Sequence, residues 1–294
     1  MPNSYFDEFI DNALKEDIGD GDHTSRACIP HNATGKAQLL VKEEGVLAGV
    51  NVALRIFHKL DPTVQIEVFK HDGDWVSPPD IAFVVEGRIL ALLKAERLVL
   101  NIMQRMSGIA TTTHLYVGQL QGLKTRILDT RKTTPGMRLL EKAAVKTGGG
   151  ENHRFGLFDM ILIKDNHIDF SGGISQAIGR VKEYMRRTGK NLKIEIEARS
   201  LEDVRTILSI GGIQRIMLDN FNIPDTRKAV EMINGKYETE SSGGIAFENI
   251  RSYAECGVDF ISVGALTHQI KSLDLSLKAL NYKTDEFGPS HQYL

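Results

Sequence analysis

The chain has 294 residues, of which 41% are hydrophobic and 25% charged, with a formal net charge of -2. This is the composition of an ordinary globular protein, and so small a net charge gives no overall field that would attract nucleic acid or an acidic membrane. The apolar runs also fall short of the ~20 residues that a membrane-spanning helix needs. We therefore expect any attraction for anions to be local.

Two further observations bear on where the protein works and what it meets. The N-terminal segment is acidic and lacks the pattern of a signal peptide, and Cys28 and Cys256 lie too far apart in sequence to suggest a disulfide framework. The sequence shows no basic face or motif for nucleic acid. We expect a cytoplasmic protein with neither a nucleic-acid nor a membrane partner.

The first hundred residues mix helix and strand patterns. Apolar residues recur at helical spacing from Phe6 to Leu14, and a second helix, Val50 to Leu60, should end before Pro62. Strands are expected within residues 35–49, at 64–69 and at 81–86, with Asp72-Gly73-Asp74 as a hairpin turn. The pattern predicts an α+β sandwich domain over residues 1–110.

The turn from Asp17 to Ser25 is rich in carboxylates and could be mistaken for a calcium loop. Its third position is Gly19, and its twelfth is Cys28 where a bidentate glutamate would be required. Turns and helix caps made by aspartate side chains are therefore the favoured interpretation.

From Arg88 to about Gly122 the pattern is helical, and Ser107-Gly108 predicts a break between two helices. Arg97 and Arg105 lie in this otherwise apolar stretch. An arginine in such a setting usually extends its charged end to the surface. The alternative is that Arg97 reaches an anion site, for example one on a neighbouring subunit.

The chain then repeats a strand, a polar strand end and a helix. Strands are expected at 127–128, 160–163, 194–198, 216–220, 237–242 and 260–264, with helices near 135–147, 172–188, 200–210, 224–234 and 246–256. Ser171 and Ser200 are predicted helix caps, and Pro224 lies near a first turn. The pattern favours a closed β/α barrel of six or seven units over a doubly wound sheet. We expect the barrel to occupy residues 111–269, and the tail, 270–294, to be helical and to pack on the first domain.

In a β/α barrel the side chains at the carboxyl ends of the strands face the active site. The early strand ends supply cations suited to carboxylates or a pyrophosphate: Arg131, Lys132, Arg154 and Lys164, together with His153. The middle ones supply Glu197 and Asp219, which suit sugar hydroxyls or Mg²⁺. The late ones supply backbone amides at expected helix starts, where a phosphate could bind, at Ser242-Gly243-Gly244 and at Gly264. Taken singly, such residues are more often helix caps or tight turns, but together they predict a ligand like a phosphorylated ribose diphosphate beside an acidic acceptor.

Several runs carry a specific family resemblance: LDTRKTTPG from Leu128, KTGGGENHRFGL from Lys146, ILIKDNHI from Ile161, and then EIEA, MLDN, SSGGI and ISVGALTH. The earlier GDGDHTS and KAERLVLNIMQRMSGIATTT match as well. With these motifs the sequence resembles the quinolinate phosphoribosyltransferases of NAD synthesis over nearly its whole length. The resemblance implies an N-terminal α/β sandwich, an incomplete β/α barrel, and a dimer or dimer-based assembly whose partner subunit completes the active site.

The resemblance also implies a role for each matching residue. Arg97 would reach the quinolinate carboxylates from the partner subunit, and Arg131, His153 and Arg154 would line the rest of that pocket. Catalysis would depend on Lys132, Lys164, Glu197 and Asp219, where the lysines serve both substrates and the acids face the ribose and Mg²⁺. The 5-phosphate of phosphoribosyl diphosphate would be held by Ser242, Gly243, Gly264 and His268. The EIEA-to-MLDN interval is one residue longer than the family pattern, which affects a loop only.

Two alternatives stay open. One is a related transferase acting on another heteroaromatic acid, such as nicotinate, although a monocarboxylate would not need so many cations. The other is a catalytically silent barrel that senses a phosphorylated ligand. The intact set of Lys132, Lys164, Glu197 and Asp219 weighs against a sensor.

Overall fold

The computed structural model describes residues 3–280. The elements of the N-terminal part are α1 Asn3–Ile18, α2 His23–Cys28, β1 Thr34–Val41, β2 Gly45–Val46, α3 Val50–Leu60, β3 Gln65–Val68, β4 Trp75–Val76, β5 Ile81–Arg88 and α4 Ile89–Gln119. Those that follow are β6 Arg126–Leu128, α5 Arg138–Thr147, β7 Ile161–Ile163, α6 Asp165–Ser171, α7 Ile174–Thr188, β8 Ile194–Ala198, α8 Leu201–Ile210, β9 Arg215–Asp219, α9 Ile223–Ile233, β10 Glu238–Ser242, α10 Ile250–Ala254, β11 Phe260–Ser262, α11 Ala265–His268 and β12 Leu275–Ala279.

The chain forms two compact units. One takes the residues through Gly108 together with those from Ser272 onward, and the other spans Ile109–Lys271. The first contains an antiparallel sheet in the order β12-β1-β5-β3 and a separate ribbon of β2 with β4. Helix α3 packs on this sheet, since the ring of Phe57 meets Phe83 of β5 edge to face at 6.0 Å. The expected α+β layer of sheet against helix is present.

Helix α4 corrects one expectation, because it runs unbroken from Ile89 to Gln119 where a break at Ser107-Gly108 was predicted. A glycine costs a helix about 1 kcal/mol, a penalty that burial of the neighbouring Met103, Met106 and Ile109 outweighs. Ser107 is itself buried, and its hydroxyl bonds the amide and the carbonyl of Ala48 at 2.9 and 3.2 Å.

The described part of the tail also differs from the sequence-based expectation of a helix. Every second residue is buried, namely Leu273, Leu275 and Leu277, and this period of two residues is that of a β-strand. The strand β12 that results pairs antiparallel with β1, from Ala37 opposite Ala279 to Val41 opposite Leu275. The rest of the predicted tail, residues 281–294, lies outside the described residues.

Turn and cap predictions gave a mixed outcome. Ser200 caps α8 by accepting from the amide of Asp203, and Pro224 occupies the first turn of α9. Asp22 likewise caps α2. The prediction that Ser171 caps a helix is wrong, because this serine is the last residue of α6. Gly172 and Gly173 form the turn between α6 and α7. The prediction of a hairpin turn at residues 72–74 is also wrong. The strands on either side of it do not pair with each other, because β3 pairs with β5 and β4 pairs with β2.

The second unit is built on six parallel strands in the order β6-β11-β10-β9-β8-β7, with helices between them. The barrel is not closed, because the two outer strands β6 and β7 do not pair with each other. The free edge of β6 is bridged instead by Glu151, whose amide donates to Ile127 and whose carbonyl accepts from Asp129. This makes the barrel incomplete, in agreement with the family resemblance and against closure. None of the helices in residues 3–280 is long and apolar enough to cross a membrane.

Candidate active site

A cleft of about 830 Å³ opens at the carboxyl ends of the barrel strands. Of the twelve predicted site residues, eleven line it: Arg131, Lys132, His153, Arg154, Lys164, Glu197, Asp219, Ser242, Gly243, Gly264 and His268. The strand-end rule therefore located residues that the parallel sheet brings together from all six strands. The twelfth, Arg97, is exposed on α4 in the first unit and is not among the lining residues.

Cations crowd one end of the cleft. Arg131 and Lys132 follow β6 and are exposed, while Arg154 is half-buried and donates to the carbonyl of Met160 at 3.2 Å. Burial, and then the nearby charge of Arg131, lower the pKa of Arg154. Two arginines held together at some electrostatic cost form a place where a ligand with two carboxylates would be stabilised.

A lysine and two acids occupy the middle of the cleft. Lys164 at the end of β7 donates to Oε1 of Glu197 at 2.6 Å, and the amide of Asp165 donates to Oε2 at 2.9 Å. Glu197 is thereby fixed in one orientation. Burial, followed by the charge of Glu197, raises the pKa of Asp219, whose carboxylate accepts from the side chain of Asn220 at 2.9 Å.

Close backbone approaches shape the far end of the cleft. Gly243 has φ +87°, and a Cβ there would lie 2.3 Å from Oδ1 of Asn220, so the position requires glycine. A Cβ on Gly264 would lie 2.9 Å from Nε2 of His268 and 3.1 Å from Cδ of Lys132. Gly264 does begin a helix, α11, as expected. The glycine pair 243–244 does not, because α10 starts only at Ile250, so its amides belong to a loop with positive φ.

Asp129 follows β6 directly but does not face the cleft. Its side chain is fully buried, where it accepts from Nζ of Lys142, from the side chain of Asn152 at 2.6 Å and from the amide of His153 at 2.9 Å. Lys142 also donates to the carbonyl of His153 at 3.1 Å. This buried ion pair fixes the backbone that carries His153 and Arg154.

Sequence reasoning missed Glu240 and Tyr116, which also line the cleft. A signal for Glu240 was available, since it precedes Ser242 by two residues on β10 and side chains of a strand alternate between its faces. The same rule places Glu195 below Glu197, and Arg215 four residues before Asp219. Tyr116 lies on α4, and no feature of the sequence distinguished it.

The residues present fit a magnesium ion. Glu197 and Asp219 offer oxygen ligands beside each other in the cleft, which is the donor set that Mg²⁺ prefers. Burial, and then the charge of Glu197, raise the pKa of Asp219 even though Lys164 donates to Glu197. A divalent cation bound by the two carboxylates would add positive charge between them.

The fold and the cleft together define a class: a β/α-barrel enzyme site for a phosphorylated, polyanionic ligand. The model of the quinolinate phosphoribosyl transferase N-terminal domain matches residues 22–107, and that of the C-terminal domain matches residues 109–278. The chain belongs to the quinolinate phosphoribosyl transferase family.

Individual relatives align with this chain over most of their length. A chloroplastic nicotinate-nucleotide pyrophosphorylase (carboxylating) of Arabidopsis thaliana is 45% identical, with 90% of this chain and 80% of that protein covered. A probable nicotinate-nucleotide pyrophosphorylase of Bacillus subtilis is 40% identical, with 92% of each covered. The crystal structure of NadC from Streptococcus pyogenes superposes with a TM-score of 0.89 at 37% identity, covering 96% of this chain and 99% of that one.

Proposed function

We propose that this protein transfers the phosphoribosyl group of 5-phosphoribosyl 1-diphosphate to quinolinate, releasing diphosphate and CO₂ and forming nicotinate mononucleotide for NAD synthesis. One observation supports this above the rest. A family member gathers a pair of arginines, the Lys164–Glu197 pair with Asp219, and two glycine-rich strand ends in a single cleft. These three groups match the three parts of the reaction: a dicarboxylate, a ribose with a departing diphosphate, and a 5-phosphate.

The acceptor end is proposed to form around Arg131 and Arg154. Guanidinium groups pair with carboxylates through two parallel hydrogen bonds, so two arginines suit the two carboxylates of quinolinate. Their mutual repulsion, which contributes to the lowered pKa of Arg154, would be relieved when the dianion binds. A monocarboxylate would leave part of this positive charge unused.

The transfer step is proposed to depend on charge placed before the reaction begins. As the bond from the anomeric carbon to diphosphate breaks, Lys132 and Lys164 offset the negative charge that develops on the leaving group. Glu197 and Asp219 offset positive charge on the ribose. Magnesium, held by these two carboxylates directly or through water, would supply further neutralisation of the diphosphate when bound.

The acceptor chemistry then follows from the pyridine ring. Its nitrogen lone pair forms the new bond to the anomeric carbon, so the ring nitrogen becomes cationic. The bond between ring carbon 2 and its carboxylate can then break, because the electron pair left on carbon 2 is stabilised by the adjacent cation. Carbon 2 takes up a proton, and CO₂ departs.

We propose in addition that the protein works as a homodimer, or as a larger assembly of dimers, in which Arg97 of one subunit serves the cleft of its partner. The exposure of Arg97 on α4 supports this. Arg97→Ala and Lys164→Met should each be strongly impaired alone, and mixing them should restore part of the activity if subunits exchange, because one cleft of the mixed dimer then has both native residues. Activity that stays absent after exchange has been verified would place Arg97 outside the site.

A cytoplasmic location is our further proposal, supported by the free Cys28 and Cys256, which fit a reducing compartment. Some plant relatives carry the words chloroplastic or mitochondrial in their names. Cell fractionation tests the proposal, and recovery of the protein in an organelle fraction would contradict it.

The deciding experiment follows diphosphate and CO₂ from phosphoribosyl diphosphate and Mg²⁺ with quinolinate or nicotinate as acceptor. Both products in equal amounts from quinolinate alone are expected. Product from nicotinate without CO₂ would keep the barrel site but contradict the dicarboxylate pocket. Tight binding of substrates without turnover would favour a sensor.

A further inference from the structure

A group of charged side chains lies at the bottom of the cleft, which two of its members line, and it is not used by the proposed mechanism. We call it the platform: His153, Glu195, Arg215 and Glu240. The side chains of both glutamates are fully buried and that of His153 is 6% exposed. Nη1 of Arg215 donates to Oε2 of Glu240 at 2.9 Å, and Nε2 of His153 lies 3.0 Å from Oε2 of Glu195 and 3.5 Å from Oε2 of Glu240.

The hydrogen bonds of His153 fix which ring nitrogen carries the proton. Nδ1 accepts from the amide of Arg154 at 2.7 Å, so Nδ1 must be bare. Burial lowers the pKa of His153, which keeps the imidazole neutral. The single proton of the ring therefore lies on Nε2, the atom directed at Glu195 and Glu240.

This tautomer decides between two uses of the platform. The ligand atoms of His153, Glu195 and Glu240 lie within 4.8 Å of one another, a geometry that could surround a metal ion. A metal would need a bare Nε2, and a neutral ring would then carry its proton on Nδ1, facing the Arg154 amide that already donates there. The cation of Arg215 at Glu240 opposes a metal as well. The platform is thus built for hydrogen bonds and ion pairs.

Several platform atoms are buried without an aligned partner among residues 3–280: Nε2 of His153, both carboxylate oxygens of Glu195 and Oε1 of Glu240. Nε2 is close to Glu195 but not oriented for a hydrogen bond. Leaving such groups unpaired costs free energy. The charged atoms nearest to Nε2 of His153 are the carboxylate oxygens of Glu195 and Glu240.

We propose that His153 is a positioning residue: through Nδ1 it sets the backbone of Arg154, while Nε2–H anchors the ring on Glu195 and Glu240, and quinolinate is contacted by the arginines and not by His153. This rests on the proposed function, and it revises the role that the family resemblance implied for His153. Glu240 is then also a positioning residue, which acts on the substrate pocket through His153.

The first test reads the tautomer in the wild-type protein. Nitrogen-15 spectra of histidine-labelled protein should show His153 with a protonated Nε2 and a bare Nδ1, both before and after quinolinate is added. The resonance is assigned by its loss in His153→Asn, with the exposed His58→Asn as the matched control. A proton on Nδ1, or a Nε2 that loses its proton when Zn²⁺ or Mn²⁺ is added, would overturn the proposal.

The second test is a double-mutant cycle on kinetics. His153→Asn and Glu240→Leu should each raise the KM for quinolinate by about tenfold, the loss expected when one hydrogen-bonding group is removed from the platform, and leave the KM for phosphoribosyl diphosphate unchanged. The double variant should be no worse than the poorer single one, because both act through one platform. His153→Gln, whose amide can donate toward the carboxylates, should recover part of the loss.

Independent, additive losses would mean that His153 meets quinolinate directly and would overturn the proposal. If wild type shows no turnover with quinolinate, the proposed function fails, while the nitrogen-15 spectra still judge the arrangement of the platform. If wild type turns over quinolinate but the losses of the two variants are additive, the proposed function stands and only the positioning role of His153 is contradicted.

Discussion

Two groups of charges at the site differ in how they are stabilised: the exposed charges that line the cleft, which we call the mouth, and the buried charges at its bottom and behind it (Asp129, Lys142, Glu195, Arg215 and Glu240), which we call the floor. At the mouth, Arg131 and Lys132 are exposed, and the Lys164 side chain is 47% exposed. On the floor, Lys142 and Asp129 are 3% and 0% exposed and contact each other. The mouth charges are solvated by water, so they are stable without a partner until a ligand binds. The floor charges are desolvated, so they need oppositely charged or hydrogen-bonding partners within the protein. The floor therefore holds the backbone, and the mouth holds the substrate.

The difference should appear most strongly when a floor charge is removed. Lys142→Met leaves Asp129 buried without its cation, and breaking a buried pair in this way costs about 3–5 kcal/mol. We expect a loss of this size in the free energy of unfolding, measured by urea denaturation. The matched control, Arg205→Met in the exposed pair with Glu202, should cost less than about 1 kcal/mol. Equal losses from the two variants would remove the distinction between floor and mouth.

Removing a mouth charge should instead affect catalysis. Lys164→Met deletes the donor to Glu197 and a cation for the leaving diphosphate, so kcat should fall by about 10²–10³-fold with stability little changed. Steady-state rates and thermal unfolding measure the two effects. Lys190→Met, an exposed lysine before β8, serves as the control and should keep full activity. A large loss of stability without a loss of rate would assign Lys164 to the floor.

Arg131→Ala should have a smaller effect that is specific for the acceptor. Hydrogen bonds to charged groups are worth about 1.5–3 kcal/mol, which predicts a rise in the KM for quinolinate and a fall in kcat/KM of about 10–100-fold. The KM for phosphoribosyl diphosphate should change far less. An unchanged kcat/KM for quinolinate would exclude Arg131 from the acceptor pocket.

The last expected effect concerns the pH dependence of the floor. Burial, and next the charge of Glu195, raise the pKa of Glu240 from 4.5 to about 8. Across that window the folded chain keeps a proton that the unfolded chain has released, so stability falls as the pH rises. Glu240→Gln cannot release a proton, and the stability of wild type relative to this variant should decrease from about pH 5 to about pH 8. Two parallel stability curves over this range would show that Glu240 is ionised throughout.

The mouth could be predicted from the sequence because it follows a local rule. Each buried strand ends in polar residues, and parallel strands bring those ends to one edge, so Lys132, Lys164, Glu197 and Asp219 were found without a structure. The strand and helix positions of the barrel followed from the same alternation. The break at Ser107-Gly108 was mispredicted because tertiary burial of α4 outweighed a local propensity.

The floor could not be predicted in the same way, because it depends on which residues meet across strands. Glu240 and Arg215 lie on adjacent strands, and only the register places their charges together. Lys142 reaches Asp129 from a helix thirteen residues away. The two-residue alternation within each strand would have indicated that Glu195 and Glu240 face inward, but not what they contact there.

The most direct test of the account follows the fate of one carbon. Quinolinate labelled with carbon-14 in its 2-carboxylate, incubated with phosphoribosyl diphosphate and Mg²⁺, should release one labelled CO₂ for each diphosphate. The same compound labelled in its 3-carboxylate should keep all of its label in the nucleotide. Diphosphate release with the 2-carboxyl label retained in the product would contradict the account, because the cleft would then transfer phosphoribose without removing the carboxylate.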